Sequence, residues 1–257
     1  MLTPASDDDW LRTIQQSTPA RILAGRTGLS YRSATQFSLR SDHAAARDAV
    51  QRDLDPLRDF PPGFAAERRL LVVQTLAASK EQYLLRPDLG RRLSPAARSE
   101  VAAQCRAGAD LQVVIGDGLS AAAVSAQVPR LLPLLEAGAQ TRKWSLGQTP
   151  VVRHCRVGIM NDLGDILLPR VLVLLIGERP GLATAESLSA YFAWRPRSGQ
   201  TDAHRNLISN IHDGGIPVAA AAQRILALAG QLMQAQTSGV QVKEQLSTAC
   251  STMLPKS

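Results

Sequence analysis

From residue 94 onward, apolar runs of strand length alternate with stretches of helical period, and glycine turns separate them. Ser94-Pro95 opens a helix that Gly108 closes. Leu111 to Ile115 is a short valine-rich run followed at once by Gly116-Asp117-Gly118. Leu119–Val128 then reads as a helix, continues through Leu131–Ala137 and stops at Gly138. Val151 to Val157 predicts a second strand, and Asn161–Leu168 a helix interrupted by Gly164. Val171–Ile176 is the most apolar strand and ends in Gly177-Glu178-Arg179-Pro180-Gly181. Ser189–Arg195 is a fourth strand, while Asn206–Ile211 has no clear period. Pro217 opens a long helix with Val218, Ala222, Ile225, Ala229 and Leu232 on one stripe. This alternation predicts an α/β fold. Its core is a mostly parallel sheet of four or five strands sandwiched by helices, Rossmann- or flavodoxin-like.

The first third predicts a small N-terminal helical region. Asp7-Asp8-Asp9 ahead of Trp10, Leu11 and Ile14 resembles a capped helix start. Thr18-Pro19 is a second start, broken by the glycines of residues 25–28. Asp42 is expected to cap a helix through His43, Ala46 and Val50. Ala66, Leu70, Val73 and Ala77 recur at helical spacing after the loop 59–64, and Pro87 and Gly90 keep 84–93 irregular. The organisation expected is a helical region over 1–93 and an α/β domain over 94–257.

Composition narrows the classes. The 257 residues carry 29 Lys plus Arg against 22 Asp plus Glu, a formal charge of +7. The lysines are Lys80, Lys143, Lys243 and Lys256 alone, so the positive charge is nearly all arginine, the better bidentate partner for phosphate and carboxylate. The strands are too few for a (β/α)8 barrel. No apolar run reaches membrane-span length, and Cys105, Cys155 and Cys250 have no metal-like spacing. A cytoplasmic protein without a membrane partner is the expectation. The basic charge keeps a nucleic-acid-binding α/β module as the alternative, although no aromatics interleave with the arginines of 86–92 to stack bases.

Candidate chemistry sits at the two glycine turns that also carry a carboxylate, Asp117 and Glu178. In open α/β sheets ligands bind beyond the carboxyl ends of the strands. The plain alternative is that each carboxylate caps the following helix. Neither turn is a phosphate loop or a G-x-G-x-x-G turn. His154 beside Cys155 is expected to be buried and hydrogen-bonded. Asn210-x-His212-x-x-Gly215 is similar to a corrinoid D-x-H-x-x-G box, with asparagine in place of the orienting aspartate. The arginines Arg86, Arg91 and Arg92 could grip phosphate or meet an acidic partner surface.

Several blocks together resemble the small (light) subunit of ethanolamine ammonia-lyase. They are Thr18-Pro19-Ala20-Arg21-Ile22 with Gly25-Arg26, then His43-Ala44 with Ala46-Arg47-Asp48-Ala49-Val50. Tyr83-Leu84 with Arg86-Pro87-Asp88-Leu89-Gly90-Arg91 follows, then Asp117-Gly118-Leu119-Ser120-Ala121. Leu175-Ile176-Gly177-Glu178-Arg179-Pro180-Gly181-Leu182 and Arg205-Asn206 with Ile208-Ser209-Asn210-Ile211 complete the set, in family order from residue 18 to Val240.

The resemblance implies a carbon–nitrogen lyase that converts ethanolamine to acetaldehyde and ammonia with adenosylcobalamin (coenzyme B12). It implies a catalytic large subunit with a barrel, a hetero-oligomer with several copies of each subunit, and cobalamin held between the two kinds of chain. It also implies that benzimidazole stays on the cobalt, so that this chain supplies no metal ligand and no catalytic group. The cofactor contacts carried over are Val157, Glu178 and Leu207, the last at a position that is commonly cysteine. Asp117 and Ser120 are weaker candidates resting on the sheet edge alone. Packaging in a bacterial microcompartment stands as an alternative to free cytosol. Small subunits of the family sometimes carry a longer N-terminal extension, and here residues 1–17 precede the first matching block.

Overall fold

The computed structural model describes residues 7–16 and 26–245. The helix start expected at Thr18-Pro19 and the end of the polar tail lie outside the described residues. The chain begins with α1 (Asp7–Gln16), a small hairpin of β1 (Arg26–Thr27) and β2 (Ser30–Tyr31), and α2 (Ser33–Gln51). The short α3 (Pro56–Asp59) and α4 (Phe64–Glu67), β3 (Leu71–Gln74), α5 (Lys80–Leu85) and a 3-10 turn at Leu89–Arg91 follow. Next are α6 (Pro95–Gln104), β4 (Leu111–Gly116), α7 (Ala121–Thr141), β5 (Pro150–Arg153), α8 (Ile159–Leu167) and β6 (Val171–Gly177). The chain continues with β7 (Leu188–Trp194), a 3-10 turn at Asp202–His204, β8 (Asn206–Ile211) and α9 (Val218–Ala235).

Six strands form one sheet in the order β3-β5-β4-β6-β7-β8. The first four are parallel, and β7 and β8 are antiparallel additions. Every residue of β4 and β6 is buried, as expected for strands covered on both faces. Val113, Ile115, Val173 and Leu175 point to a core shared with α7 and α9. Val114, Leu172, Leu174 and Ile176 point the other way, to a core shared with α6 and α8. This is the α/β sandwich that the alternation predicts. No described helix is long and apolar enough to cross a membrane.

Each edge of the sheet is partly covered. At the β3 edge Leu76 N donates to Arg92 O (2.9 Å) and Ser94 N to Gln74 O (3.0 Å). At the β8 edge the Asn206 amide donates to Gly239 O (3.1 Å) and Val242 O (2.7 Å), and Ile216 N donates to Asn210 O (2.8 Å).

Several elements differ from the sequence expectation. The helix expected over Ala66–Ala77 is instead α4 followed by strand β3. Arg69 has a left-handed φ of 47° that ends the helical path, and Leu71 and Val73 are buried while Val72 is exposed. Because β3 pairs with β5, main-chain pairing crosses the 93/94 boundary drawn from the sequence. Asp42 lies in the middle of α2 and is not its cap: no Gly or Pro interrupts residues 33–41, so the helix starts earlier. α7 runs through Pro129, Pro133 and Gly138 to Thr141. Gly138 makes room for α9, since a Cβ there would lie 2.1 Å from Leu226 Cδ1. β5 stops at Arg153, and Asn206–Ile211 is a strand.

Candidate functional site

The loops after β4, β5 and β6 meet at one edge of the sheet, where the strand order reverses about β4. Glycine is needed there for close approach. Gly118 has a φ of 57°, and a Cβ on it would stand 2.3 Å from Gly177 O. A Cβ on Gly177 would stand 2.0 Å from Ser120 O. Leu119 N donates to Gly177 O (3.1 Å) and locks the two turns together. Ser120, not a carboxylate, caps α7: its hydroxyl accepts from Ala123 N (3.2 Å) and donates to Ala185 O (2.5 Å).

Asp117 organises the β5 loop. Its fully buried carboxylate accepts from His154 N and Cys155 N, both at 2.8 Å. His154 takes a left-handed φ of 55°, so the chain turns sharply and presents Arg156 and Val157 to the crevice. Burial pushes the Asp117 carboxyl above the usual range, opposed by the Lys80 ammonium and the two amides. Lys80 is itself buried and donates to Gly118 O (3.3 Å). Tyr83 OH donates to Cys155 O (2.9 Å), and burial raises that hydroxyl so far that it stays a neutral donor. Burial, then the nearby Asp117 charge, raises the Cys155 thiol well above its ordinary value, which leaves it unreactive at neutral pH.

Polar atoms of Asp53, Asp117 and His154 lie within 4.8 Å of one another. All are bonded to protein groups, with His154 Nδ1 3.0 Å from Ala77 O and Nε2 3.1 Å from Asp53. The cluster is therefore a hydrogen-bonded anchor for the loop, not a set of free ligands.

Val157, Glu178 and Leu207 come from three different elements and line one cavity of about 380 Å³. Leu119, Ile176 and Tyr191 add apolar wall, and Ser189 and Ser209 add hydroxyls. The cavity exists because the core formed with α6 and α8 extends only to Tyr191 and Ala193, leaving Leu207 on β8 46% exposed. Glu178 is held from three sides: Ser187 Oγ (2.7 Å), Ser189 Oγ (2.7 Å) and Asn210 N (2.8 Å) all donate to it. A carboxylate has about four lone-pair positions, so one remains for a ligand donor.

Asp117 and Ser120 do not reach this cavity; both are buried and spent on backbone groups. Neither Asp117 nor Glu178 caps the next helix. His212 stays within its own loop, with Nε2 2.7 Å from Asn210 Oδ1 and Nδ1 accepting from Gly214 N (3.1 Å). Sequence reasoning missed Lys80, Ser187 and Ser189. Only their long-range partners give them a role, and no local spacing announces it.

Taken together, the sheet order and crevice define a doubly wound α/β protein with an open ligand cavity at the carboxyl ends of its strands. Residues 8–243 match the model of the ethanolamine ammonia-lyase light chain (EutC) family. The small subunit of ethanolamine ammonia-lyase from Clostridium perfringens is 38% identical over 240 residues, covering 93% of this chain and 79% of that protein. The Pseudomonas paraeruginosa small subunit is 41% identical over 244 residues, covering 94% and 89%. That from Pseudomonas syringae pv. tomato is 39% identical over 244 residues, covering 94% and 85%. The chain belongs to the ethanolamine ammonia-lyase light-chain family and is thus a subunit of a carbon–nitrogen lyase.

Proposed function

We propose that this chain helps to bind and position adenosylcobalamin against a large subunit that carries the substrate site and the reacting groups. The observation that carries the reading is that Val157, Glu178 and Leu207, distant in sequence, line one cavity. The residues present suit the group. Val157, Leu207 and Ile176 offer apolar surface to a flat macrocycle. Glu178, fixed by its three donors, keeps a lone pair for one of the amides around the corrin rim. Arg156 also lines the cavity and brings a guanidinium to its wall.

The radical chemistry on ethanolamine is supplied by the cofactor when it is bound. This chain's own work is binding and orientation. Leu207 replaces a residue that is commonly cysteine, and a main-chain contact at that position survives the change. The assembly is a hetero-oligomer with several copies of each subunit, in the cytosol or within a bacterial microcompartment.

The test is co-purification with a cognate large subunit, followed by an absorbance spectrum for bound corrinoid. The mixture should turn over ethanolamine, and this chain alone should not. In the assembled enzyme Glu178→Ala should raise the cobalamin Kd roughly tenfold, the loss of about one charge-assisted hydrogen bond. Glu178→Gln, which keeps the shape, should have a smaller effect. An unchanged Kd in Glu178→Ala removes this residue from the site, and turnover by the chain alone refutes the division of labour.

A further inference from the structure

A second cavity, of about 560 Å³, adjoins the first and shares Arg156 and Val157 with it. Four arginines line it: Arg91, Arg92, Arg156 and Arg205. Two aspartates share the wall, and both are committed. Asp162 pairs with Arg98 and accepts from Leu93 N (2.7 Å), and Asp202 pairs with Arg205. Among the described residues neither Arg91 nor Arg156 has a carboxylate partner.

The arginines are seated in the fold. The stem of Arg91 lies on Gly158, where a Cβ would stand 2.9 Å from Arg91 Cγ. The stem of Arg156 lies on Gly90, where a Cβ would stand 2.8 Å from Arg156 Cγ. Arg156 N donates to Gly90 O (2.8 Å), and the Arg156 guanidinium stacks on Tyr83 at 4.2 Å. The 3-10 turn and the β5 loop are thus interlocked, each supplying the glycine on which the other's arginine rests. The Arg205 side chain is 6% exposed, and its guanidinium donates to Asn161 Oδ1 (3.1 Å). Burial lowers the Arg205 pKa, and the Arg91 charge pushes the same way. Like charges have been brought together with one buried donor, Arg156 Nε, left over. That arrangement fits an anion with several acceptor oxygens.

We propose that this cavity is a phosphate-ester site seated on Arg91, Arg156 and Arg205. Its position against the first cavity makes the phosphodiester in the cobalamin nucleotide loop the expected occupant. That assignment of source rests on the cofactor reading above, whereas the anion site does not. The other source of the same chemistry is a separate small phosphate ester.

The experiment has two arms. In the assembled enzyme, binding of cobalamin and of cobinamide, which lacks the phosphate and nucleotide, is measured spectroscopically. In the full chain alone, inorganic phosphate is titrated at constant ionic strength by calorimetry. Arg91→Gln should weaken cobalamin binding tenfold or more, leave cobinamide unchanged and abolish phosphate binding. Gly158→Ala, which displaces the Arg91 stem without removing charge, should act in the same direction and so separates a seated contact from net charge. Phosphate binding that needs Arg91, with both corrinoids unaffected, upholds the site and assigns it to a separate ester. The same phosphate result in an assembly that binds no corrinoid sinks the cofactor reading and leaves the site standing. Equal weakening of both corrinoids, or no Arg91 effect in either arm, overturns the proposal.

Discussion

Removing the Asp117 carboxylate takes away the only acceptor of two buried amides, and the consequence can be worked out from the geometry. In Asp117→Ala the amides of His154 and Cys155, each 2.8 Å from a carboxylate oxygen, are left in a site with no solvent exposure. A buried amide without an acceptor costs about 1–3 kcal/mol, so the pair gives about 2–6 kcal/mol. The buried Lys80 ammonium also loses the charge of Asp117, with which it interacts, which favours the upper half of that range. Asp117→Asn keeps one acceptor but turns an amide group towards the second N–H, and should lose about half as much. Urea unfolding of the full chain measures this, provided that m is unchanged and only the midpoint moves. Burial raises the Asp117 pKa above its unfolded value. The stability it contributes is therefore fully present below the ordinary aspartate range and is lost as pH rises through the folded value. Asp117→Ala should lack this component. An alanine variant within about 0.5 kcal/mol of the parent, or alanine and asparagine variants of equal stability, would refute the reasoning.

Two further outcomes follow from other contacts. Gly177→Ala places a Cβ 2.0 Å from Ser120 O and 2.9 Å from Asp117 O, both backbone atoms that cannot rotate away. It should destabilise by at least about 1–3 kcal/mol and reduce corrinoid binding, and a parental Tm would contradict the close approach. Burial acts to raise the Asp110 carboxyl, but the Ser145 amide and hydroxyl and the Arg170 guanidinium outweigh it and hold the pKa below the ordinary value. Its contribution is present above the unfolded pKa and is lost as pH falls through the folded one. Asp110→Asn should therefore show a shallower loss of stability in acid, by a small amount because Asp110 is only partly buried and its Arg170 partner is exposed to screening solvent. Identical acid profiles for the variant and the parent would exclude that role.

The central strands were legible because β4 and β6 are buried on both faces, and such strands read as continuous apolar runs. The stripe of α9 was legible for the matching reason: Val218, Ala222, Ile225, Ala229 and Leu232 are all buried against one core. β3 was misread because four residues with two buried positions cannot outvote a chance helical spacing through Ala66, Leu70, Val73 and Ala77. β8 alternates poorly because apolar Leu207 faces the cavity and the strand slips register against β7 near Asn210, whose φ is 62°. At the site, the glycine turns marked the right edge of the sheet. The sequence could not say which carboxylate faces the ligand. Asp117 and Glu178 sit in similar turns, and only the fold turns one inward to backbone amides and the other towards the cavity. The seating of Arg91 and Arg156 on each other's glycines is invisible along the chain, since it joins residues 90–91 to 156–158.

The partial cover at both sheet edges limits how this chain can join others. At one side the segment 92–94 takes the hydrogen bonds at the end of β3. At the other, the 239–242 segment and Ile216 close the two ends of β8. A free strand edge is a template for polymerisation or for accepting a donated strand from another polypeptide. Here main-chain groups are taken up at Gln74, Leu76 and Asn210, which shortens the template and favours recognition of a partner through side chains on the faces and loops. Recognition of that kind depends on the shape of both surfaces, which protects a multi-chain enzyme from indiscriminate pairing while its subunits are still separate.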